Sequence, residues 1–381
     1  MTTRVGLIGA NGYGIHHRRV LTTMQATGTV EVVGMCDLAP VRDELEAPVP
    51  ATARAFTDHR ELLTVTRPEV VVVATPPHTH FELATDCARA GADVLLEKPP
   101  LLSMREHKEL LQVLADTGRV CQVGFQALGS TALAEVLSAV RAGRLGRVTG
   151  IGAYGAWQRP DSYYDRSPWA GRRELAGRPV LDGALANPFA HVVMQALAAA
   201  AATEPVQIAE VEIERFRARP IDVDDTGAVR MWLASGLPLV VAVTLCADEH
   251  VDPVVVVHGE RGRAMLECTV DRLRLPGEPV ARLVPGRVGL LENLLAHRTG
   301  SGEVALRAGL DRTAPFTAVV ESIMAAPAPT AVDEEYQRSV GDGAFRVVIV
   351  PGVTGVVRQA AERLRLPSEL GAPWAAASPA G

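Results

Sequence analysis

Short apolar runs alternate with helix-forming segments through the first third of the chain. The runs occupy residues 4–9, 30–36, 69–74, 93–96 and 120–125. They lack the polar alternation of a half-exposed strand, and the third run contains four consecutive valines. Strands that are apolar on both faces and separated by helices are typical of a parallel sheet covered on both sides. The pattern therefore predicts a doubly wound α/β domain.

Beyond residue 128 the apolar residues recur at the two-residue period of a half-buried strand. Turn-forming sequences at 236–238 and 259–262 separate consecutive strands. We therefore predict a first domain of residues 1–127 and a second α/β domain of residues 128–381. The open sheet of the second domain should be mostly antiparallel, with one face on helices. Its other face would need a cover, such as a partner subunit, which predicts a homodimer or homotetramer.

The C-terminal part of the chain is expected to return to helix. One helix is predicted over residues 343–364, with a kink at Pro351 because proline has no backbone N–H to donate. Such a helix is able to pack back on the first domain.

Composition argues against several classes of protein. The 381 residues are 48% hydrophobic and 22% charged, as in globular domains with a substantial core. The net charge is −6 without a basic stripe, which argues against nucleic acid as a partner. No apolar run has membrane-spanning length, and no signal peptide precedes the first strand.

Cysteine and histidine usage point in the same direction. The five cysteines are scattered and form no C-x-x-C pair, so we interpret them as buried free thiols in a reducing compartment. The ten histidines show no metal-ligand spacing. The prediction is a cytoplasmic protein with no membrane contact and no metal.

A glycine-rich turn follows the first apolar run and precedes the first helix. Its sequence is Gly9-Ala10-Asn11-Gly12-Tyr13-Gly14. This is the position of the Rossmann dinucleotide fingerprint, in which backbone N–H groups and the helix N-terminus hold a pyrophosphate. Gly9 and Gly14 match the first and third glycines, whereas Asn11 stands at the second.

Asp37 supports this interpretation because it ends the second apolar run. A carboxylate there accepts hydrogen bonds from the adenosine ribose and repels a 2′-phosphate. NAD is therefore favoured over NADP, although Arg42 lies nearby and keeps NADP open. The alternative is an ordinary strand–turn–helix unit in which Asp37 only caps a helix.

Lysine is rare in this chain, which draws attention to Lys98. Of the 38 lysines and arginines in the sequence, only Lys98 and Lys108 are lysines. Arginine keeps its proton in proteins, whereas a lysine ammonium is able to exchange one. Lys98 is therefore the candidate for acid/base chemistry. Chance is the alternative, and it suffices for Lys108, which lies in a polar helical segment.

Three further motifs occur in a characteristic order. They are ATPPHTH at 74–80, LLEKP at 95–99 and VGFQ at 123–126. In this order they resemble the Gfo/Idh/MocA family, the glucose–fructose oxidoreductase and inositol dehydrogenase group. The resemblance covers essentially the whole chain. It implies a Rossmann domain followed by an α/β domain whose open sheet often forms the oligomer interface.

The resemblance also implies roles for individual residues. The cofactor would be held by a set drawn from the turn and the motifs, namely Gly9, Asn11, Gly12, Tyr13, Gly14, Asp37, Thr75, Pro76, His80, Glu97, Lys98 and Gln126. Lys98 would also face the substrate. In the family a cis peptide often precedes the proline that here is Pro99. Pro77 departs from the pattern, since the family commonly has Asn there.

A second block, residues 183–191, resembles the family's glycine-rich catalytic segment. Asn187 and His191 stand at its catalytic positions, four residues apart and so on one face of a predicted helix. Asn187 replaces the more common Asp, and it would orient a hydroxyl rather than move a proton. Asp182, which directly precedes this block, is a candidate carboxylate for the same site. The alternative for His191 is a hydrogen-bonded core histidine.

Aromatic and charged residues concentrate between residues 154 and 173. Flat rings beside bidentate donors suit a polyhydroxylated ring. The predicted substrate residues are Trp157, Tyr163, Trp169, Arg172 and Asp182, with Lys98, Asn187 and His191. The alternative is an oligomer interface or a hinge, where aromatic residues also collect.

The resulting hypothesis is an NAD(P)-dependent oxidoreductase that interconverts a ring hydroxyl and a ketone on a sugar, cyclitol or sugar derivative. Lys98, Asn187 and His191 would be catalytic. One alternative is a non-redox sugar-modifying enzyme that uses tightly bound NAD transiently. Another is a nucleotide-binding sensor or structural subunit that has lost catalysis.

Overall fold

The computed structural model describes residues 2–300 and 303–375 and divides the chain into two compact units. The first unit spans Met1–Phe125 and Gly289–Thr317. The second spans Gln126–Val288 and Ala318–Gly381. The chain therefore leaves the first unit, builds most of the second, returns to the first and ends in the second.

Strands and helices alternate through the first 125 residues. The strands are β1 Thr3–Ile8, β2 Val30–Cys36, β3 Arg54–Phe56, β4 Val70–Val73, β5 Asp93–Leu96 and β6 Cys121–Val123. The helices are α1 Gly14–Ala26, α2 His59–Thr66, α3 His80–Arg89 and α4 Met104–Thr117. All strand pairs are parallel, in the order β3-β2-β1-β4-β5-β6. The predicted doubly wound sheet is confirmed.

This strand order fixes where a ligand would bind. The order reverses between β1 and β4, and ligands of doubly wound sheets bind beyond the carboxyl ends of the strands at such a point. The four valines of β4 are completely buried, as expected for a strand covered on both faces. Helix boundaries follow from local chemistry, since the Ser103 side chain accepts from Glu106 N–H at the start of α4 and Gly118 ends that helix with φ +64°.

A nine-stranded mixed sheet forms the centre of the second unit, with helices α5 Thr131–Arg141 and α6 Ala190–Ala201. The strands after β6 are β7 Val148–Gln158, β8 Glu174–Leu175, β9 Arg178–Pro179, β10 Ile208–Arg217, β11 Thr226–Leu233, β12 Pro238–Thr244, β13 Cys246–Gly259, β14 Gly262–Glu267, β15 Arg272–Arg274, β16 Arg282–Leu283 and β17 Thr330–Ala331. The sheet order is β16-β15-β14-β13-β7-β12-β11-β10-β17, and only β7–β12 and β10–β17 pair in parallel. The prediction of a mostly antiparallel second sheet is confirmed.

Residues 289–317 complete the first unit. They contain α7 Leu290–Thr299 and the beginning of α8 Leu310–Ala325. The side chain of Gln122, on β6, is fully buried and donates to Leu290 O at 3.0 Å and to Asn293 Oδ1 at 2.8 Å. Its Oε1 accepts from Ala308 N at 2.9 Å. A polar side chain buried in this way requires those partners, so the segment is anchored to β6.

The C-terminal region differs from its prediction. Residues 343–364 are not one helix: a hairpin of β18 Arg338–Val340 and β19 Val347–Ile349 comes first, and α9 Val353–Arg363 begins only afterwards. The β-branched run of β19 favours a strand, and Pro351 with Gly352 at φ +81° separates the two elements. Helix α9 lies in the second unit. Its packing against the first domain stays a prediction.

Helices from this chain cover both faces of β7, the central strand of the second sheet. A Cβ on Gly152 would lie 2.0 Å from Ala361 O of α9, whereas one on Gly155 would lie 2.5 Å from the Phe189 ring beside α6. Residues of opposite parity point to opposite faces. The uncovered face that suggested a partner subunit is therefore not found at the centre of the sheet, and the oligomer stays a prediction.

The cysteines and the helices of both units bear on two predictions. All five cysteines are buried and free, as predicted. Among the residues that the structure describes, no helix combines the length and the apolar character needed to cross a bilayer.

Candidate active site

The turn predicted to bind a dinucleotide, residues 9–14, is called the dinucleotide loop below. It joins β1 to α1 and lies against the end of β4. Gly9 has φ +84°, and a Cβ there would lie 2.5 Å from Ala74 O. A Cβ on Gly14 would lie 1.8 Å from Gly9 O. Both positions therefore require glycine, because the backbone passes too close for any side chain.

Asp37 and Asn11 hold the dinucleotide loop to the end of β2. Asp37 Oδ2 accepts from Asn11 N at 2.9 Å, and Asp37 Oδ1 accepts from Ala39 N at 3.1 Å. The Asn11 side chain accepts from Arg42 N at 3.2 Å. Asn11 thus gives the loop side-chain contacts that the usual glycine would lack.

The loop fits the phosphates of a dinucleotide. Gly12 has φ +56°, and a Cβ there would meet no atom within 4 Å, so this side of the loop is open. The backbone N–H groups of Gly12 and Tyr13 donate to no residue within the described ranges. Donors at a helix N-terminus that face open space are what a pyrophosphate requires. Tyr13 is 51% exposed beside them.

Glu97 and Lys98 follow β5 on the same edge of the sheet. Glu97 is 6% exposed, and its Oε1 lies 2.9 Å from His17 Nε2 on α1. Its Oε2 accepts from Lys98 N at 3.1 Å. Burial opposes ionisation, but the hydrogen bond from His17 and the charges of His17 and Lys98 outweigh it and lower the pKa of Glu97. The site therefore contains a carboxylate beside a half-buried lysine.

The peptide bond between Lys98 and Pro99 is cis, as the resemblance implied. Gly124 lies against the carboxylate that precedes this bond: a Cβ on Gly124 would lie 2.9 Å from the carboxyl group of Glu97. His17 is a contributor that sequence reasoning missed. No motif in the sequence indicates this role, because the partner of His17 lies 80 positions further along the chain.

His80 supports the site instead of lining it. Its ring is completely buried, with Nε2 2.8 Å from Thr75 O and Nδ1 2.9 Å from Pro99 O. Burial lowers the pKa of His80 even though the carbonyl groups favour its charged form. It therefore ties the segment after β4 to the segment after β5. Thr75 and Pro76 are half-buried, and Thr75 Oγ1 lies 2.7 Å from Thr79 Oγ1.

The predicted substrate residues lie in the second unit, and Asp182 is the centre of one group of them. Both Asp182 oxygens lie 2.6 Å from Arg166 Nη2, and Oδ2 also accepts from Gly171 N at 2.8 Å. Asp182 Oδ1 accepts from Asn187 Nδ2. The Asp182 side chain is fully buried, so it orients Arg166 and Asn187.

The prediction that Asn187 and His191 lie on one helix is wrong. Helix α6 begins at Ala190, and Asn187 lies in the turn before it, with its N–H bonded to Gly183 O at 3.0 Å. Pro188 disfavours helical geometry for the residue before it, which explains the late start. His191 is the second residue of α6 and is half-buried.

Residues 157–169, called the aromatic segment below, form a ladder of rings and guanidinium groups. The Trp157 ring lies 4.4 Å from that of Phe189. Arg159 lies 4.7 Å from the centre of the Trp157 ring and 5.2 Å from that of Tyr163. Arg166 follows, 3.8 Å from the Tyr163 ring and 5.0 Å from that of Trp169. Trp157, Tyr163 and Trp169 are thus brought together, with two arginines between them.

Two other predicted residues stand apart from these groups. The Arg172 side chain is 60% exposed and lies 3.6 Å from Asp222. Gln126 begins the second unit, whereas the other predicted cofactor residues belong to the first. One group of metal-ligand type that the spacing did not indicate, His59, Glu82 and Asp86, lies on the first unit, and Arg60 already pairs with both of its carboxylates.

Two family models match the chain. Residues 3–125 match the one described as "Oxidoreductase family, NAD-binding Rossmann fold", and residues 133–265 match the "GFO/IDH/MocA C-terminal domain". The chain belongs to the Gfo/Idh/MocA family. The family resemblance of the sequence motifs is thereby confirmed, and the first unit contains the family's NAD-binding domain.

Two individual relatives share just over a quarter of the aligned residues with this chain. An uncharacterised oxidoreductase of Synechocystis sp. is 27% identical over 56% of this chain and 58% of its own length. The scyllo-inositol 2-dehydrogenase (NAD(+)) of Bacillus subtilis is 28% identical over 38% of this chain and 42% of its own. The chain thus spans about half the length of these relatives.

A similar solved structure agrees with the fold. The WlbA dehydrogenase of Bordetella pertussis, in complex with NADH and UDP-GlcNAcA, has a TM-score of 0.69 and 23% identity. The match covers 85% of this chain and 95% of that one.

Proposed function

We propose that this chain is an NAD-dependent dehydrogenase that interconverts a ring hydroxyl and a ketone on a sugar, cyclitol or sugar derivative. The observation that carries the proposal is Lys98, beside the ionised Glu97 at the carboxyl end of β5, in a unit whose loop fits a dinucleotide. The names of relatives such as scyllo-inositol 2-dehydrogenase support the substrate class.

The proposal assigns a role to each chemical group. The dinucleotide, when bound, supplies the hydride acceptor. Lys98 donates a hydrogen bond to the reacting oxygen and stabilises negative charge there. His191 takes or relays the hydroxyl proton, and Asn187 orients a neighbouring hydroxyl.

Asp182 and His17 act through other residues. Asp182 accepts a hydrogen bond from the Asn187 side chain and so fixes the orientation of that amide. His17 lowers the pKa of Glu97 through its hydrogen bond and its charge, and so favours the carboxylate form of Glu97.

Asp37 supports NAD over NADP. Its carboxylate lies at the end of β2 against the dinucleotide loop, where it would repel a 2′-phosphate. Titration with NADH and NADPH in parallel, followed by nicotinamide fluorescence, tests this assignment. Tighter binding of NADH is expected. Tighter binding of NADPH would contradict the role of Asp37, and absence of binding by either would contradict the dinucleotide site.

Turnover tests the redox assignment separately. The protein is incubated with NAD and a panel of sugars, sugar acids, nucleotide-sugars and cyclitols, and absorbance at the NADH band is followed. NADH that accumulates in proportion to ketone supports the proposal. Product formed without net NADH would replace it with a non-redox reaction that uses bound NAD transiently.

A further inference from the structure

The ladder in the aromatic segment contains an arginine, Arg159, that forms no ion pair with any carboxylate in the described part of the chain. We propose that the substrate bears a negatively charged group, a carboxylate or a phosphate, and that Arg159 binds it. This inference rests on the proposed sugar dehydrogenase function and narrows its substrate class.

Arg159 differs from Arg166, the other arginine of the ladder. Arg166 is paired with Asp182 through both carboxylate oxygens. Among the residues that the structure describes, no carboxylate forms an ion pair with Arg159. The neighbouring carboxylate, Asp161, lies 3.4 Å from Arg219 Nε and 2.7 Å from Arg346 Nε.

The neutral contacts of Arg159 leave donors unused. Its Nη1 reaches the Gln158 carbonyl at 3.4 Å, and it shares a hydrogen bond with the Tyr163 hydroxyl. Its Nε is buried without a hydrogen-bond partner, as is Nε1 of Trp157 next to it. A guanidinium group has five N–H donors, so this set of contacts is incomplete.

A half-buried charge without a counter-ion is costly. The two rings on which Arg159 stacks offset part of this cost, because their faces attract cations. Contact with both rings also restricts where the guanidinium group can lie. A planar cation held in this way is suited to a carboxylate or phosphate, which accepts two parallel hydrogen bonds.

The position of Arg159 connects it to the proposed catalytic residues of its unit. Arg159 and Arg166 both contact the Tyr163 ring, and their guanidinium carbons, 5.2 and 3.8 Å from the ring centre, are therefore at most about 9 Å apart. Arg166 contacts Asp182, which binds the Asn187 amide. The backbone is fixed as well, because Arg159 O accepts from Arg219 Nη2 at 2.6 Å.

The experiment compares charged and uncharged sugars with the NAD-loaded protein. D-glucose, D-glucuronate, D-glucose 6-phosphate and UDP-glucose are titrated against wild type, Arg159→Gln and Arg159→Lys. Binding is read from tryptophan fluorescence, because Trp157 and Trp169 lie in the aromatic segment, and turnover is read from NADH. Arg274→Gln is the matched control, since it removes one exposed arginine of the same unit.

We expect one of the charged sugars to bind more tightly than D-glucose to the wild type. Arg159→Gln should weaken that ligand about 10- to 100-fold and change D-glucose less than about 2-fold. Arg159→Lys should recover part of the loss, and Arg274→Gln should behave as wild type. Preference for D-glucuronate identifies a carboxylate, whereas preference for a phosphorylated sugar identifies a phosphate.

Two results would overturn the inference. One is a wild type that binds no charged sugar more tightly than D-glucose. The other is an Arg159→Gln variant that weakens charged and uncharged sugars equally, which a purely structural role in the ladder would produce. Failure of the proposed function looks different: charged sugars would bind through Arg159, but no sugar would yield NADH.

Discussion

The dinucleotide loop of the first unit and the aromatic segment of the second are built in opposite ways. The loop is made of backbone: two of its glycines leave no room for a side chain, and its open side presents N–H groups. The aromatic segment is made of side chains, in which arginines lie between rings and a buried carboxylate fixes one of them. An added atom should therefore damage the first, whereas a removed charge should damage the second.

Substitution of Lys98 should have the largest effect, because in the proposed function Lys98 contacts the reacting oxygen, which neither the dinucleotide loop nor the aromatic segment does. Lys98→Ala should lower turnover about 10²- to 10⁴-fold, the usual contribution of a positioned acid or base. NADH affinity should change little, because the dinucleotide loop is untouched. Steady-state kinetics and NADH titration measure the two effects. Lys108→Ala, which removes the exposed lysine on α4, is the control, and similar losses in both variants would contradict the role of Lys98.

Asp182→Ala tests whether the second unit depends on its paired charges. Loss of the buried carboxylate leaves Arg166 and Asn187 without their acceptor, at a cost of about 3–5 kcal/mol. All four tryptophans belong to the second unit, so urea unfolding followed by tryptophan fluorescence measures this cost there. NADH affinity should stay within about 2-fold.

The control for that measurement is Asp222→Ala. Asp222 is 49% exposed and pairs with Arg172 at 3.6 Å, and exposed pairs contribute at most about 1 kcal/mol. If the two aspartate variants lost equal stability, burial and pairing would not distinguish this unit.

Gly9→Ala tests the backbone construction of the loop. The new methyl group would lie 2.5 Å from Ala74 O, and the residue must also keep φ +84°. We expect a cost of about 3 kcal/mol, expressed as weaker NADH binding and lower stability. Gly28→Ala is a matched control, because Gly28 has φ +71° but open space around its Cβ position. Equal effects would mean that φ alone, and not close approach to β4, makes Gly9 necessary.

Asp225 offers a smaller, pH-dependent test in the second unit. Its Oδ2 accepts from Ala218 N and Arg219 N, and burial raises the pKa of its carboxyl group to about 6. An unfolded aspartate titrates near 4. The folded protein therefore binds this proton more tightly, so the group stabilises the fold at low pH, and that contribution is lost as pH rises from about 4 to about 6.

Asp225→Asn removes this titration and can keep both hydrogen bonds. The unfolding free energy of the variant minus that of wild type should therefore rise by about 2 kcal/mol between pH 4 and pH 7. Asp222→Asn controls for the loss of one negative charge at an exposed site. If this difference in unfolding free energy fell with rising pH, the charge of Arg219 would have a larger effect than burial on the pKa of Asp225.

The fold was predictable where local pattern and final environment agree. β2 and β5 have the predicted bounds, because a strand that is buried on both faces carries its signal within a few residues. The start of α9 was not predictable in this way. The β-branched run of β19 is only three residues long, too short to outweigh the apolar pattern of the longer segment, and its pairing with β18 makes it a strand.

The candidate site shows the same limit. The dinucleotide loop was predictable because it is contiguous. The pairing of His17 with Glu97 joins residues 80 positions apart, and that of Arg166 with Asp182 joins an irregular segment to a later turn. Side-chain pairs of this kind depend on the finished fold, so no spacing rule indicates them. The cover of β7 by α9 was missed for the same reason.

The return of residues 289–317 to the first unit has a consequence for synthesis on the ribosome. The ribosome makes β6 long before α7, so the acceptors of Gln122 become available only after most of the second sheet has been translated. The first unit therefore cannot finish folding on the ribosome until residues 289–317 have been made. A gene fragment that ends at residue 127 would encode a Rossmann sheet with a polar, unsatisfied edge. Neither unit is therefore one continuous stretch of the chain, which passes from one unit to the other three times.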